Sequence, residues 1–228
     1  MKETNRLEFL ALLAKDANVV LDIGCDHGYF LKILFDKYNL KKGIAVDNKV
    51  LPLENAKRNL KGYNCEFILS NGFEEVSADF DVCNISGVGG ITAIEILKLA
   101  RPGKYIVSVH SKLTELKQFL NKKGFWLLDE YIVFDKGVYY NVLVLNLKNE
   151  KPETTFDCFY SPFILNKEGY ETYFLELKQK CEKILRFRPN DKKTLLEEDF
   201  DEEELFDNED LKDYEMQYTI EGLYADKE

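Results

Sequence analysis

The sequence predicts an α/β protein with a doubly wound sheet that ends in a β-hairpin. Two observations carry this reading. Apolar runs bounded by turns alternate with segments of helical period up to about residue 123, and two strand-like runs then follow with no helix between them. Size and composition agree, since 228 residues suit one sizeable domain with an appendage. A hydrophobic content of 45%, with 13% aromatic residues, supplies a core.

The runs NVVLDI (18–23), KGIAVD (42–47), CEFIL (65–69), FDVCNI (80–85) and KYIVSV (104–109) are read as buried strands. Their continuous apolar character fits a parallel sheet covered on both faces. Between them YFLKILFDKYNL (29–40), LPLENAKRNLKG (51–62) and GITAIEILKLA (90–100) place apolar residues at helical spacing. A further helix is expected around LTELKQFLNKKG (113–124), followed by the strands FWLLDEYIVF (125–134) and VYYNVLVLNL (138–147). The link DKG between them is a hairpin turn signal. A parallel sheet finished by a hairpin marks the Rossmann-like class I methyltransferase sheet, whereas dinucleotide dehydrogenases continue with further βα units.

The polar stretch NEKPETTFD (149–157) reads as a linker, which gives a domain over 1–150 and an appendage over 151–228. In the appendage Tyr170, Phe174, Leu177, Cys181 and Ile184 follow a coiled-coil-like spacing and need a partner helix. Leu211, Tyr214 and Tyr218 are positioned to supply it, so a C-terminal helical hairpin is expected.

The net charge of −10 is unevenly spread: +1 over residues 1–150, +1 over 151–190 and −12 over 191–228. The acidity belongs to the tail, and the body is free to bind a polyanion. Five scattered cysteines form no CxxC pair, which argues for a reducing cytoplasm and against a disulfide frame or a metal site. No apolar run reaches the roughly 18 residues a membrane helix needs, and the charged N-terminal stretch shows no export signal.

Chemistry is concentrated at the strand ends. The first strand runs into GCDHG, a glycine turn opening a helix, which ordinarily favours an anion. Here Asp22 closes the strand and Asp26 sits inside the turn, so two carboxylates repel phosphate and suit an amine, hydroxyls or a sulfonium. S-adenosylmethionine offers all three. Gly24, Cys25, His27 and Gly28 complete the turn. At the second strand end Asp47, with Asn48 beside it, is suited to accept the ribose hydroxyls. Asn71 and Gly72, at the third, are placed to read the adenine amino group. The fourth ends in Ser86, Gly87, Val88 and Gly89, the position facing the transferred methyl. An aspartate at one strand end is often only a cap. Four such features at consecutive strand ends form a site, because open α/β sheets bind ligands along that edge.

These residues also resemble a known family. NRL (5–7), DIGCDHGY (22–29), ISGVGG (85–90), DEYIVFDKGVYYNVLV (129–144) and SPFILNKE (161–168) are similar to segments of the bacterial tRNA adenine-22 N1-methyltransferases, the TrmK family. That family has serine where Cys25 stands, proline at Leu31, methionine at Val88 and a QPN-like segment at Val109, His110 and Ser111. The resemblance implies a class I methyltransferase domain, S-adenosylmethionine as cofactor and tRNA as partner, in a cytoplasmic protein expected to be a monomer. N1 of adenine has an available lone pair, so no base is needed before attack; the turn at Ser86–Gly89 lets the backbone approach the flat base. Tyr29, Phe30 and Val88 are candidates to hold the extruded base. Lys178, Lys183, Arg186 and Arg188 are candidates for phosphate contacts. Competing readings are a methyltransferase with another RNA or small-molecule substrate, an idle RNA-binding relative, and a nicotinamide oxidoreductase. The last is disfavoured by the missing GxGxxG.

Overall fold

A computed structural model describes residues 5–153, 155, 156, 163, 167, 172, 173, 175 and 179. The chain divides into two units, Met1–Tyr170 and Glu171–Glu228. The first contains, in order, α1 (Arg6–Leu13), β1 (Val19–Ile23), α2 (Tyr29–Tyr38), β2 (Lys42–Asp47), α3 (Val50–Asn59), β3 (Cys65–Leu69), β4 (Val82–Val88), α4 (Gly90–Leu97), β5 (Gly103–Val109), α5 (Leu113–Lys123), β6 (Phe125–Asp135) and β7 (Val138–Leu147). The expected seam at Tyr170, Phe174, Leu177, Cys181 and Ile184 and its partner residues lie outside the described residues. So do Lys178, Lys183, Arg186 and Arg188.

The seven strands form one sheet in the order β3-β2-β1-β4-β5-β7-β6. β1 to β5 are parallel, and β7 runs antiparallel to both β5 and β6. The helices alternate with the parallel strands as their apolar periodicity requires, and the hairpin closes the sheet. Lys136 and Gly137 both have positive φ, the primed turn whose twist matches two antiparallel strands. β3 departs from the expectation of a buried strand. None of its residues is buried, because it is the sheet edge and pairs only with β2.

Apolar residues cover both faces. One cluster gathers Leu21, Ile85, Tyr105 and Val107 with α4 and α5. The other gathers Val20, Val82 and Ile106 with Leu10, Leu31, Leu34 and Leu53 from the first three helices. Among these α1 was not expected from the periodicity. It is capped by Asn5, whose side chain accepts a hydrogen bond from the Glu8 N–H at 3.2 Å, and it buries Leu10 and Ala11. The polar stretch after β7 is docked onto α5. Asn121 donates to the Phe156 carbonyl at 2.8 Å and accepts from its N–H at 3.1 Å.

Two devices shape the edge where β1 and β4 end. β4 carries a bulge between Ser86 and Val88, which leaves Gly87 out of the ladder with φ 76° and turns the chain outward. Gly90 then begins α4 in close contact with the β5–α5 connection. Its N–H donates to the Ser111 carbonyl at 3.0 Å, and a Cβ added there would lie 2.3 Å from the Lys112 carbonyl oxygen. That neighbour is backbone and cannot step aside. Gly90→Ala is expected to destabilise the protein by about 2 kcal/mol, lowering Tm by roughly 4 to 8 °C. An unchanged Tm in a calorimetric scan would refute this close approach.

Candidate functional site

The connection from β1 to α2 is built as a platform. The N–H groups of Gly24 and Cys25 both donate to the Val46 carbonyl, at 2.8 and 2.9 Å, so the turn is stitched to β2. The Gly28 N–H returns to the Cys25 carbonyl at 2.7 Å. Gly28 has φ 72°, and a Cβ there would meet Leu60 at 2.8 Å, which explains glycine at the start of α2. Asn59, from the end of α3, donates to the His27 carbonyl at 3.0 Å and holds the turn from the other side.

Asp47 organises the same turn. Its carboxylate accepts the Asp26 N–H at 3.2 Å and the Lys49 N–H at 2.9 Å. One side chain therefore sets the conformation of two strand ends. Asp47→Ala is expected to weaken binding of S-adenosylmethionine by about 1.5 to 3 kcal/mol, the usual loss for charge-assisted hydrogen bonds. Titration calorimetry reads this directly, and unchanged affinity would remove Asp47 from the site.

Asp22 lies beneath the turn at 3% exposure. Asn84 on β4 donates to Asp22 Oδ1 at 2.7 Å and to Ser86 Oγ at 3.1 Å, so Asp22, Asn84 and Ser86 form one polar row. Burial raises the Asp22 pKa from 3.8 to about 7. The Asn84 hydrogen bond and the Arg6 charge lower it in part, and the neighbouring Asp47 adds to the rise. The Asn84 Oδ1 atom is buried without a hydrogen-bond partner.

The remaining expected residues are distributed as follows. Asp26 and His27 are near one another at 3.5 Å on the open side of the turn, and the His27 ring stacks on Tyr29 with centroids 5.6 Å apart. Tyr29 is 52% exposed. Phe30 is not available to a substrate. It is 3% exposed within the core, because helical geometry turns Phe30, Leu31 and Leu34 to the same buried face of α2. Cys25 is also buried; burial first, then Asp22 and Asp47, push its thiol far above the ordinary range, so it is a neutral packing residue. Asn48 is exposed beside Asp47. Asn71 is exposed and donates to Glu74 at 3.0 Å, while Gly72 is buried against Ile96. Gly87 is exposed, Ser86, Val88 and Gly89 are half-buried, and all four stand where β4 ends. Among the described residues no group of three or more His, Cys, Asp and Glu side chains is placed to hold a metal ion. Nor is any helix among them long and apolar enough to cross a membrane.

Sequence reading missed three contributors: Asn84, Asn59 and Arg6. Arg6 opens α1 and lies over the Tyr140 ring, its guanidinium carbon 4.5 Å from the centroid. One terminal nitrogen lies 3.7 Å from where a Cβ on Gly87 would be. The capping pattern Asn5–Glu8 was the available signal for the helix that brings it there.

The donor set fits S-adenosylmethionine: acidic acceptors for a cationic ligand, an orphaned buried acceptor on Asn84, and open space above Gly24. Known proteins agree. Residues 3–143 match the family model described as a methyltransferase domain. A Mycoplasma pneumoniae protein named "Putative tRNA methyltransferase" is 30% identical over 64% of this chain and 70% of its own length. The Bacillus subtilis tRNA (adenine(22)-N(1))-methyltransferase is 27% identical over 63% of this chain and 65% of its own. The structure of M. capricolum TrmK with S-adenosylhomocysteine superposes with a TM-score of 0.72 at 25% identity, covering 85% of this chain and 92% of that one. With its sheet, its hairpin and its acidic strand ends, the chain belongs to the methyltransferase-domain family and, within it, to the TrmK-like methyltransferases.

Proposed function

We propose that the protein is an S-adenosylmethionine-dependent tRNA methyltransferase that methylates N1 of an adenosine, adenosine 22, acting as a cytoplasmic monomer. The observation that carries this reading is the polar row Asp22–Asn84–Ser86 beside the turn organised by Asp47, an acidic, largely buried setting for a cationic cofactor. The comparisons supply the substrate class.

When bound, S-adenosylmethionine would supply a sulfonium methyl for attack by the adenine N1 lone pair, with the N–C bond forming as the S–C bond breaks. Positive charge passes to the base and no proton need leave N1. The chain's own work is therefore positioning and electrostatic. Asp22 and Asp47 favour the cationic ligand over a neutral one. The bulge at Gly87 and the turn to Gly89 let backbone approach a flat base. Tyr29, exposed and stacked on His27, offers it an aromatic face. Phe30, being buried, is not part of this proposal.

The test uses labelled S-adenosylmethionine with tRNA lacking the modification, followed by nucleoside mass spectrometry and mapping. The expected product is 1-methyladenosine at position 22. Transfer to another nucleoside, or none, overturns the assignment. Lys178, Lys183, Arg186 and Arg188 remain the proposed phosphate contacts. Replacing Lys183, Arg186 and Arg188 together with alanine is expected to weaken tRNA binding and reduce its salt dependence by about 3 in log–log slope. Cofactor affinity should be unchanged. An unaltered salt slope would show that these residues only face solvent.

A further inference from the structure

Arg6 presents an unusual situation for a cation. Its Nε and Nη1 atoms are buried and have no hydrogen-bond partner. A buried donor left unpaired is unfavourable, and the face of Tyr140 offsets only part of that. A planar guanidinium held by stacking, with N–H groups at Nε and Nη1 unspent, is suited to an anion such as a carboxylate, which either atom can engage together with Nη2.

Its place in the fold narrows the anion. Leu7 and Tyr140 pack with Val20, Val82 and Ile106 on one side of the sheet. Asp22 and Asn84 alternate with Leu21 and Cys83, which belong to the other side, so Asp22, Asn84 and Ser86 share the α1 side. Arg6 thus stands near Gly87 with the polar row beside it. The row offers acceptors, among them the Asn84 Oδ1 that has no partner; Arg6 offers donors that have none. Acceptors for an ammonium next to donors for a carboxylate are the complement of an α-amino acid.

We infer that Arg6 holds the α-carboxylate of the methionine portion of S-adenosylmethionine, while the Asp22–Asn84–Ser86 row takes its ammonium. This rests on the cofactor reading above and goes beyond it by giving the N-terminal helix a part in binding. Arg6 does not touch the reacting atoms under this assignment. It anchors the tail of the cofactor.

The test compares S-adenosylmethionine with its decarboxylated analogue, which keeps the sulfonium, the ammonium and the adenosine but lacks the carboxylate. Dissociation constants are measured by titration calorimetry for the full-length wild type, Arg6→Lys and Arg6→Met. The wild type is expected to prefer the carboxylate-bearing ligand by about 10- to 100-fold, the range for charge-assisted hydrogen bonds. Arg6→Met should abolish that preference while binding the analogue as the wild type does, and Arg6→Lys should keep part of it. Equal loss for both ligands in Arg6→Met would overturn the assignment in favour of a purely structural arginine. Unchanged affinity for both, with weaker tRNA binding, would overturn it in favour of a nucleic-acid phosphate contact. A wild type that binds neither ligand would refute the cofactor reading itself.

Discussion

Asp22→Asn is expected to stabilise the protein without added ligand at pH 7 to 8 and, at the same time, to weaken its hold on S-adenosylmethionine. In the folded chain Asp22 titrates at about 7 against an ordinary 3.8, chiefly because burial disfavours the carboxylate. Between those values the folded state holds the proton more tightly than the unfolded chain. Stability from this group is therefore complete below pH 4, falls as pH rises, and is lost once pH passes about 7. At about 1.4 kcal/mol per pH unit the penalty above pH 7 is on the order of 4 kcal/mol, and neutral asparagine avoids it while still accepting from Asn84. Chemical denaturation at pH 5 and pH 8 should show a gain for the variant that is larger at pH 8. The same carboxylate ionises fully next to a cation, so wild-type affinity should strengthen between pH 6 and 8 with proton release, and the variant should lose that dependence. Equal stability of the two proteins at pH 8 would mean that Asp22 is already well solvated.

Lys117→Met is expected to be the most damaging single change outside the site. Lys117 on α5 and Glu130 on β6 are 1% and 0% exposed, and the ammonium lies 2.9 Å from both carboxylate oxygens. The pair fastens α5 to the sheet on the side of the hairpin. Removing the lysine strands a buried carboxylate, which typically destabilises by about 3 to 5 kcal/mol; Tm should fall by roughly 6 to 20 °C. The double variant Lys117→Met with Glu130→Leu should recover most of that loss, since two apolar groups of similar volume leave no charge unpaired. A single variant within about 1 kcal/mol of wild type would show that water reaches the pair.

Much of this architecture was legible in the residues. Continuous apolar runs at Val19–Ile23, Lys42–Asp47, Val82–Val88 and Gly103–Val109 can satisfy themselves only between two covered faces, and DKG announced the hairpin. Local pattern could not show that Cys65–Leu69 is the edge, because edge or centre depends on which strands pair. Acidic strand ends were legible one at a time. Their mutual support was not: Asn84 meets Asp22 across 62 residues and Asn59 meets His27 across 32. Adjacency in sequence groups Phe30 with Tyr29, whereas its helical spacing to Leu34 marks it as core. Nothing in the local pattern marks Arg6, because its significance lies in buried N–H groups without partners, a property of the folded chain.

The strand order has a consequence for biogenesis. β7 is the last made of the sheet's seven described strands, yet it sits between β5 and β6, so the ribosome releases β1 to β5 before the strand that covers the open side of β5 exists. Part of the packing of α1 waits as well: Phe9 packs edge-on to Tyr131 at 5.1 Å, and Arg6 rests on Tyr140. Helix α1 can pack on α2 early, through Leu10 against Leu31 and Leu34, but its contacts with the hairpin form only when residues about 130 positions later have emerged. Non-local closure of this kind is slow and leaves an unpaired edge in the meantime. Nascent chains stalled before β7 should accordingly engage chaperones and fail to retain cofactor, with competence arriving abruptly once the hairpin clears the tunnel.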